Sequence, residues 1–352
     1  MGLTELLQDK YDALSDNTPQ VVQQVATGVV QGMQFGRTRW PSQVVISQCR
    51  NWFLPANLAP KMTRATAEVI ALLGLTPVLV DVEADTFNID PESVAKAITP
   101  KTKAIVPVHL FGQCANMEAL QEIADKHNLY LIEDTCQAIG AGYKYDDGSL
   151  KKAGTIGDIG CVSFFPSKNL GAYGDGGAIF THSDELAEKM RSIVNHGMKV
   201  RYYHDMVGVN SRLDSIQAAI LSVKLRHLDE YAADRQRAAN HYTNAFKDYP
   251  QLKTPVVWEK STHVFHQYTL ITEGIDRNEL QKHLMGKDIP AMIYYPVPLH
   301  MQKAYLDPRY KEGDFPVTEA LSEKVISLPM SSELEEEQLE YITSSLIEFL
   351  EK

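Results

Sequence analysis

The sequence predicts an α/β protein: a mostly parallel central sheet sandwiched by helices, followed by a smaller C-terminal α+β domain. Three observations point there. From about Thr66 onward, short continuous apolar runs alternate with amphipathic stretches, the pattern of strands buried on both faces and helices covering them. The chain has 352 residues, more than one domain usually holds, so a large and a smaller domain are expected. Beyond about Asp248 the alternation gives way to short strand-like runs and Pro-rich turns. The division is therefore 1–248 for the large domain and 249–352 for the small one.

The elements follow in order. TAEVIALLGL reads as a helix, PVLVDV as a strand, PESVAKAI as a helix opened by Pro91, and KAIVPVHL as a strand. MEALQEIADKH repeats the helix and NLYLIED the strand. GCVSFF and GAIFT continue the sheet, and SDELAEKMRSIVNH opens with a Ser cap and an acidic first turn. DSIQAAILSVKLRHLDEYAADRQRAANHYTNAF reads as one long helix. The small domain offers HQYTLI as a strand, RNELQKHLMG as a helix, a Pro-rich YYPVPLH and a closing acidic helix. Residues 20–64 are atypical: they scatter Trp, Arg, Gln and Pro without a period of two or 3.6, and no element is assigned there.

Composition narrows the function. A net charge of −11 disfavours nucleic acid, whose binding is driven by Lys and Arg neutralising phosphates. It leaves an anionic small molecule open, because one pocket can be positive in an acidic protein. No apolar run approaches the length of a membrane span, and the N-terminus does not read as a signal peptide. The expected compartment is the cytoplasm. The four cysteines, Cys49, Cys114, Cys136 and Cys161, contain no C-x-x-C pair, so neither a disulfide framework nor a zinc site is expected; they read as small buried residues.

In an open parallel sheet, ligands sit beyond the carboxyl ends of the strands. NLYLIED ends on Asp134, and GCVSFF ends just before Pro166-Ser167-Lys168. A carboxylate and an amine are thus delivered to one edge of the sheet. A desolvated lysine becomes nucleophilic enough for Schiff-base chemistry, and a carboxylate opposite it suits the ring nitrogen of pyridoxal phosphate. Gln137, in the turn after Asp134, and Ser163, at the strand end, are candidates for the ring and the phosphate. The glycines of GAYGDGGA permit left-handed or tightly turned backbone beside a ligand. Each residue taken singly has a plainer reading: a solvated loop lysine, a strand-end cap, structural polar groups. A dinucleotide-binding oxidoreductase is the weaker reading, since these glycines precede a strand rather than opening a helix.

With those residues in view, the chain resembles the DegT/DnrJ/EryC1/StrS sugar aminotransferases, fold type I pyridoxal-phosphate enzymes. The matching stretches run from about Thr66 onward: PVLVDVEADTFNID, KAIVPVHLFGQCANM, LIEDTCQAIGAGY, SFFPSKNLGAYGDGGAI, GVNSRLDSIQAAIL, HVFHQYT and YYPVPLHMQKAY. The resemblance implies Lys168 as the Schiff-base and proton-shuttling lysine, Asp134 on the pyridine nitrogen, Gln137 on the ring and Ser163 on the phosphate. It implies a homodimer in which Asn210 reaches the neighbouring site. It places Tyr294, Tyr295 and His300, and less firmly His196, around a nucleotide-sugar pocket. The implied reaction moves an amino group from glutamate, leaving 2-oxoglutarate, to a nucleotide-linked keto-sugar for polysaccharide, lipopolysaccharide or antibiotic-sugar synthesis.

The family's N-terminal phosphate-binding turn, Ser/Asn-Gly-Thr-Asp/Glu-Ala-Leu, is not recognisable in this sequence. One hypothesis is that residues 20–64 are translated out of frame: Gly36-Arg37-Thr38-Arg39-Trp40, if encoded GGA CGG ACG CGC TGG, reads Thr-Asp-Ala-Leu from the third base. The gene's nucleotide sequence tests this, and no alternative frame restoring the motif would end it. The altered segment also motivates a second functional reading, a catalytically impaired relative that persists as a binding or dimerising protein.

Overall fold

The computed structural model describes residues 20–23, 43–47 and 65–352. The phosphate-turn question, Cys49 and most of the atypical segment therefore lie outside the described residues. Two strands do fall in that segment: β1 (Gln20–Gln23) and β2 (Gln43–Ser47).

The main sheet has seven strands. β3 (Thr76–Val80), β4 (Thr102–Val106), β5 (Tyr130–Asp134), β8 (Ile159–Ser163) and β9 (Gly177–Thr181) join β1 and β2 in the order β1-β9-β8-β5-β4-β2-β3. From β8 to β3 all neighbours are parallel; β9 runs antiparallel to β8, and β1 antiparallel to β9. Side chains alternate along β3, β4, β5, β8 and β9, which supply cores on both faces. On one face Ile105 and Leu131 pack with Val94 of α2 (Pro91–Ala97) and Leu120 of α3 (Met117–His127). On the other, Ala104, Val106 and Ile132 pack with Ile70 of α1 (Ala65–Leu72) and Met190 of α4 (Asp184–Val194).

The helix starts are locally determined. Pro91 stands in the first turn of α2, and the Asp90 carboxylate accepts from Glu92 N and Ser93 N at 3.0 and 3.1 Å, a side-chain cap for orphaned amides. Ser183 caps α4 by accepting from Leu186 N at 3.3 Å. Asn116 caps α3, whose other end closes on Asn128 in the left-handed region at φ 52°.

The long helix expected from Asp214 to Phe246 is two helices, α5 (Ser215–Lys224) and α6 (Leu228–Phe246), joined by a 3-10 turn at Leu225–His227. Tightening that turn brings Leu221, Leu225 and Leu228 into one core with Phe164 and Phe180. The second half of α6 supplies Ala238, Tyr242 and Phe246 to a separate C-terminal core. There an antiparallel sheet of β12 (Leu252–Lys253), β13 (Tyr268–Thr272) and β14 (Val325–Leu328) packs with α7 (Arg277–Met285) and α9 (Glu336–Leu350). Two small hairpins, β6–β7 (Gly142–Lys144, Leu150–Lys152) and β10–β11 (Met198–Val200, Tyr203–His204), and helix α8 (Pro316–Lys324) complete the described elements. No helix among the described residues is long and apolar enough to cross a membrane.

Candidate active site

β4, β5 and β8 are parallel neighbours, so their carboxyl ends open on one edge of the sheet. Asp134 closes β5 opposite Cys161, and Ser163 closes β8. The chain then turns through Pro166 to Lys168, whose N–H donates to Phe165 O at 2.9 Å.

Lys168 is only 5 % exposed. Burial lowers the pKa of its ammonium, with the Cys136 sulfur and then the Asp134 carboxylate acting in the opposite direction. The amine is thereby biased toward the neutral, nucleophilic form while staying within the field of a carboxylate. The glycines behind it serve close approach rather than left-handed backbone. None of Gly171, Gly174, Gly176 and Gly177 has a positive φ, but a Cβ on Gly171 would overlap the Pro166 carbonyl. The loop closes through Ala172 N to Phe164 O and Phe164 N to Gly176 O, both 2.7 Å.

Asp134 is held from two sides. Thr66 Oγ1, at the start of α1, donates to its Oδ2 at 2.7 Å, and Cys136 N donates to its Oδ1 at 3.1 Å. Gln137 is buried, and its Oε1 accepts from Phe111 N at 2.6 Å. Ser163 is buried, with Oγ accepting from Phe165 N at 3.3 Å. Lys168, Asp134 and Ser163 thus share one edge of the sheet, with Gln137 in the adjoining turn.

A wall of this edge comes from the C-terminal half of the chain. Asn169 Nδ2 donates to Val264 O at 3.1 Å, which leaves its Oδ1 as the acceptor for His266 Nδ1–H at 2.9 Å. Burial, and secondarily the positive charges of Lys168 and Arg235, hold His266 neutral, well below the usual histidine range. The Leu110–Gly112 turn nests against the same segment: Val264 N donates to Gly112 O at 2.8 Å, and a Cβ on Gly112, where φ is +118°, would sit 2.9 Å from two backbone nitrogens.

Tyr294 and Tyr295 line a cavity with Phe87, Phe111, Thr318 and Leu321. Phe111 connects this cavity to the strand ends, since its backbone N–H is the one that holds Gln137. His300 is buried away from it, its Nε2 3.1 Å from Glu319 Oε1 and its ring 4.8 Å from that of Phe315. His196 and Asn210 are exposed and close together: His196 N donates to Val209 O at 3.0 Å, and Asn195 bridges Asn210. Among the described residues, the hydrogen bonds of these two run to their own loop rather than to the Lys168 cluster. Cys114, Cys136 and Cys161 are free thiols, and burial pushes Cys114 up to about 12.

Sequence reasoning missed Thr66, Glu133, His109, Asn169 and His266. The last four stand in stretches the sequence had marked, LIEDTCQAIGAGY, KAIVPVHLFGQCANM, SFFPSKNLGAYGDGGAI and HVFHQYT; Thr66 left no local signal, because its partner is 68 residues away.

A parallel sheet that presents an amine and a carboxylate at neighbouring strand ends is the framework of a fold type I pyridoxal-phosphate enzyme, and the donor set suits that cofactor. The amine is buried, and the carboxylate is oriented by two donors yet keeps acceptor capacity. Comparison carries this one step further: the model of the DegT/DnrJ/EryC1/StrS aminotransferase family matches residues 58–347, and the chain belongs to that family, whose members use pyridoxal phosphate. It is 50 % identical over 287 residues to a "Pleiotropic regulatory protein" of Geobacillus stearothermophilus, covering 81 % of this chain and 75 % of that one. It is 44 % identical over 282 residues to the UDP-2-acetamido-2-deoxy-3-oxo-D-glucuronate aminotransferase of Pseudomonas aeruginosa, covering 80 % and 76 %. Among solved structures, S. venezuelae DesV in complex with a ketimine intermediate superimposes with a TM-score of 0.87 at 34 % identity, over 100 % of this chain and 90 % of that one.

Proposed function

We propose that the protein transfers an amino group from glutamate to the C3 keto group of a nucleotide-linked sugar. The observation that carries this reading is the buried Lys168 amine in the field of Asp134 at one sheet edge. The 3-oxo sugar named for the Pseudomonas aeruginosa relative supports the ring position, and the relatives named as sugar transaminases do not favour a catalytically impaired binding protein.

Bound pyridoxal phosphate supplies an electron sink for the charge left when a proton leaves the carbon bearing the transferred nitrogen. Lys168 moves that proton: burial makes its amine a weaker base than a surface lysine, so it can both take the proton and return it. It does so twice, first as glutamate leaves as 2-oxoglutarate and again as the keto-sugar accepts the amine. Asp134, oriented by Thr66 and Cys136 N–H, would pair with the pyridine nitrogen. Gln137, its amide plane set by Phe111 N–H, would lie against the ring, and Ser163 would offer its hydroxyl to the phosphate. Tyr294 and Tyr295 line the sugar's cavity; His300 stands outside that lining, beside Glu319 and Phe315.

A second copy of the chain completes the site. Tyr173, Tyr202, Tyr203, Val207 and Ile216 are each more than 70 % exposed, an apolar grouping around the segment that carries His196 and Asn210, of a kind monomers rarely leave open. Asn210 and His196 thereby reach the partner's cofactor and sugar. The enzyme works in the cytoplasm on the precursor of a surface polysaccharide or a related sugar.

The test is the absorption spectrum of the purified chain with added pyridoxal phosphate, before and after borohydride, followed by peptide mapping. A yellow protein labelled at Lys168 is expected; a colourless protein, or a label elsewhere, overturns the reading. Sedimentation of the same sample reads the dimer, and a panel of UDP- and dTDP-linked 3-keto and 4-keto sugars reads the ring position.

A further inference from the structure

Glu133 immediately precedes Asp134 and has a different fate. It has no solvent exposure, and neither does its partner His109. Four donors converge on its carboxylate: Gly154 N at 2.8 Å and His109 Nε2 at 2.9 Å on Oε2, and Ile156 N at 2.7 Å and Gly157 N at 2.8 Å on Oε1. The tautomer of His109 follows from its other nitrogen. Nδ1 accepts from Ala115 N at 3.1 Å, so the proton is on Nε2 and His109 is the donor.

These bonds gather the segments that build the site. The Gly154–Gly157 turn leads into β8, which delivers Ser163 and Lys168. The Pro107–Ala115 segment carries Phe111, whose N–H holds Gln137. It is tied a second time to the end of β5, by His109 N to Asp134 O at 3.0 Å and Asp134 N to Pro107 O at 2.9 Å. Glu133 itself is one residue from Asp134, on the opposite face of the strand. A buried carboxylate is costly in an otherwise apolar strand and is replaceable by apolar packing unless it fixes a geometry.

We propose that the His109–Glu133 pair is a positioning unit. It fixes the spacing of the Asp134, Gln137 and Lys168 segments without touching the cofactor, and through that spacing it sets the cofactor's affinity and its titration. The inference rests on the reading that pyridoxal phosphate lies between Lys168 and Asp134.

The experiment compares wild type with Glu133→Gln, His109→Phe and His109→Gln, using Leu346→Ala, in the separate C-terminal core, as a control away from these bonds. Four quantities are read: melting temperature, dissociation constant for pyridoxal phosphate, the pH midpoint of the bound cofactor's absorbance, and kcat and KM for the amino donor. For Glu133→Gln and His109→Phe, roughly tenfold weaker cofactor binding, a midpoint displaced by about half a pH unit and a kcat reduced about tenfold at near-constant KM are expected, by analogy with residues that orient ligands from behind. His109→Gln, whose amide restores a donor toward Glu133, returns most of this, and Leu346→Ala loses thermal stability alone. The proposal is overturned if the His109 variants change only in melting temperature, as the control does. Should Glu133→Gln fail to fold, the two His109 variants decide. A wild-type chain that takes up no pyridoxal phosphate refutes the cofactor reading instead, a result distinct from variants that bind it unchanged.

Discussion

Asp81 stands just past the end of β3 and caps a helix more than 230 residues later. Helix α8 begins at Pro316, and the residue at its cap position, Phe315, has no side chain that can accept a hydrogen bond. Asp81 fills the role from outside: Oδ2 accepts from Val317 N at 3.0 Å, and Oδ1 from Thr318 N at 2.9 Å and Thr318 Oγ1 at 2.6 Å. Asp81→Ala removes a cap, worth about 1 kcal/mol, removes a negative charge from a helix N-terminus, worth about 0.3–1 kcal/mol, and leaves the buried Thr318 hydroxyl unpaired, at about 1 kcal/mol or more. The sum is about 2–3 kcal/mol, and it falls on α8 rather than on the whole chain. Amide hydrogen exchange reads it directly: protection in the first two turns of α8 should drop roughly 30- to 160-fold, with the seven-stranded sheet unchanged. Because Thr318, Leu321 and Ser322 line the cavity beside Tyr294 and Tyr295, KM for the sugar should rise while cofactor affinity holds. Unaltered exchange in α8, or a uniform loss across the chain, refutes the assignment.

Two further outcomes are expected. Thr66→Val deletes a hydrogen bond to a carboxylate, a class worth about 1.5–3 kcal/mol, so pyridoxal-phosphate affinity should fall about tenfold or more by titration; a change under about twofold refutes the orienting role. Acid should destabilise the fold through its buried histidines. Burial lowers His263 to about 3 and pushes His266 well down, so between the unfolded value near 6.5 and those folded values the unfolded chain binds more protons. Stability is therefore full above about pH 6.5 and falls on acidification by up to about 1.4 kcal/mol per pH unit for each histidine. Urea midpoints measured from neutral pH downward check this, and His263→Phe, which keeps the ring stacking on Phe265, should lower the slope; an unchanged slope sinks the account.

The fold from Thr66 onward was legible where its causes are local. The apolar runs of β3, β4, β5 and β8, the Asp90-Pro91 and Ser183 helix starts, and the lysine turn all follow from residues within a few positions of one another. The break at Leu225–His227 was not legible, because good helix formers occupy it and the reason for it is a core shared with Phe164 and Phe180. The antiparallel direction of β9 was equally invisible, since strand sense depends on the connection. β2 lies inside the sheet between β3 and β4 yet offers only QVVIS to a reader, too short for a period to register. The family match begins at residue 58, so the segment before it is atypical against the family model as well as in its own pattern.

Two neighbouring acids show what local pattern cannot supply. In NLYLIED, Glu133 and Asp134 are adjacent, and composition treats them alike. Alternation along the strand sends them to opposite faces, and there the donors differ. An ionised carboxylate has about four acceptor positions. Glu133 has all four engaged by His109 and the Gly154–Gly157 turn, so it can hold segments together but can accept nothing more. Asp134 accepts from Thr66 Oγ1 and Cys136 N, with the Cys136 thiol as a further side-chain partner, which aims the group and leaves capacity for a ligand. Burial alone would favour Glu133 as the functional acid, since it is the more enclosed; the count of unused acceptor positions selects Asp134, and the same count is why removing a donor from Glu133 should be felt at the cofactor it never touches.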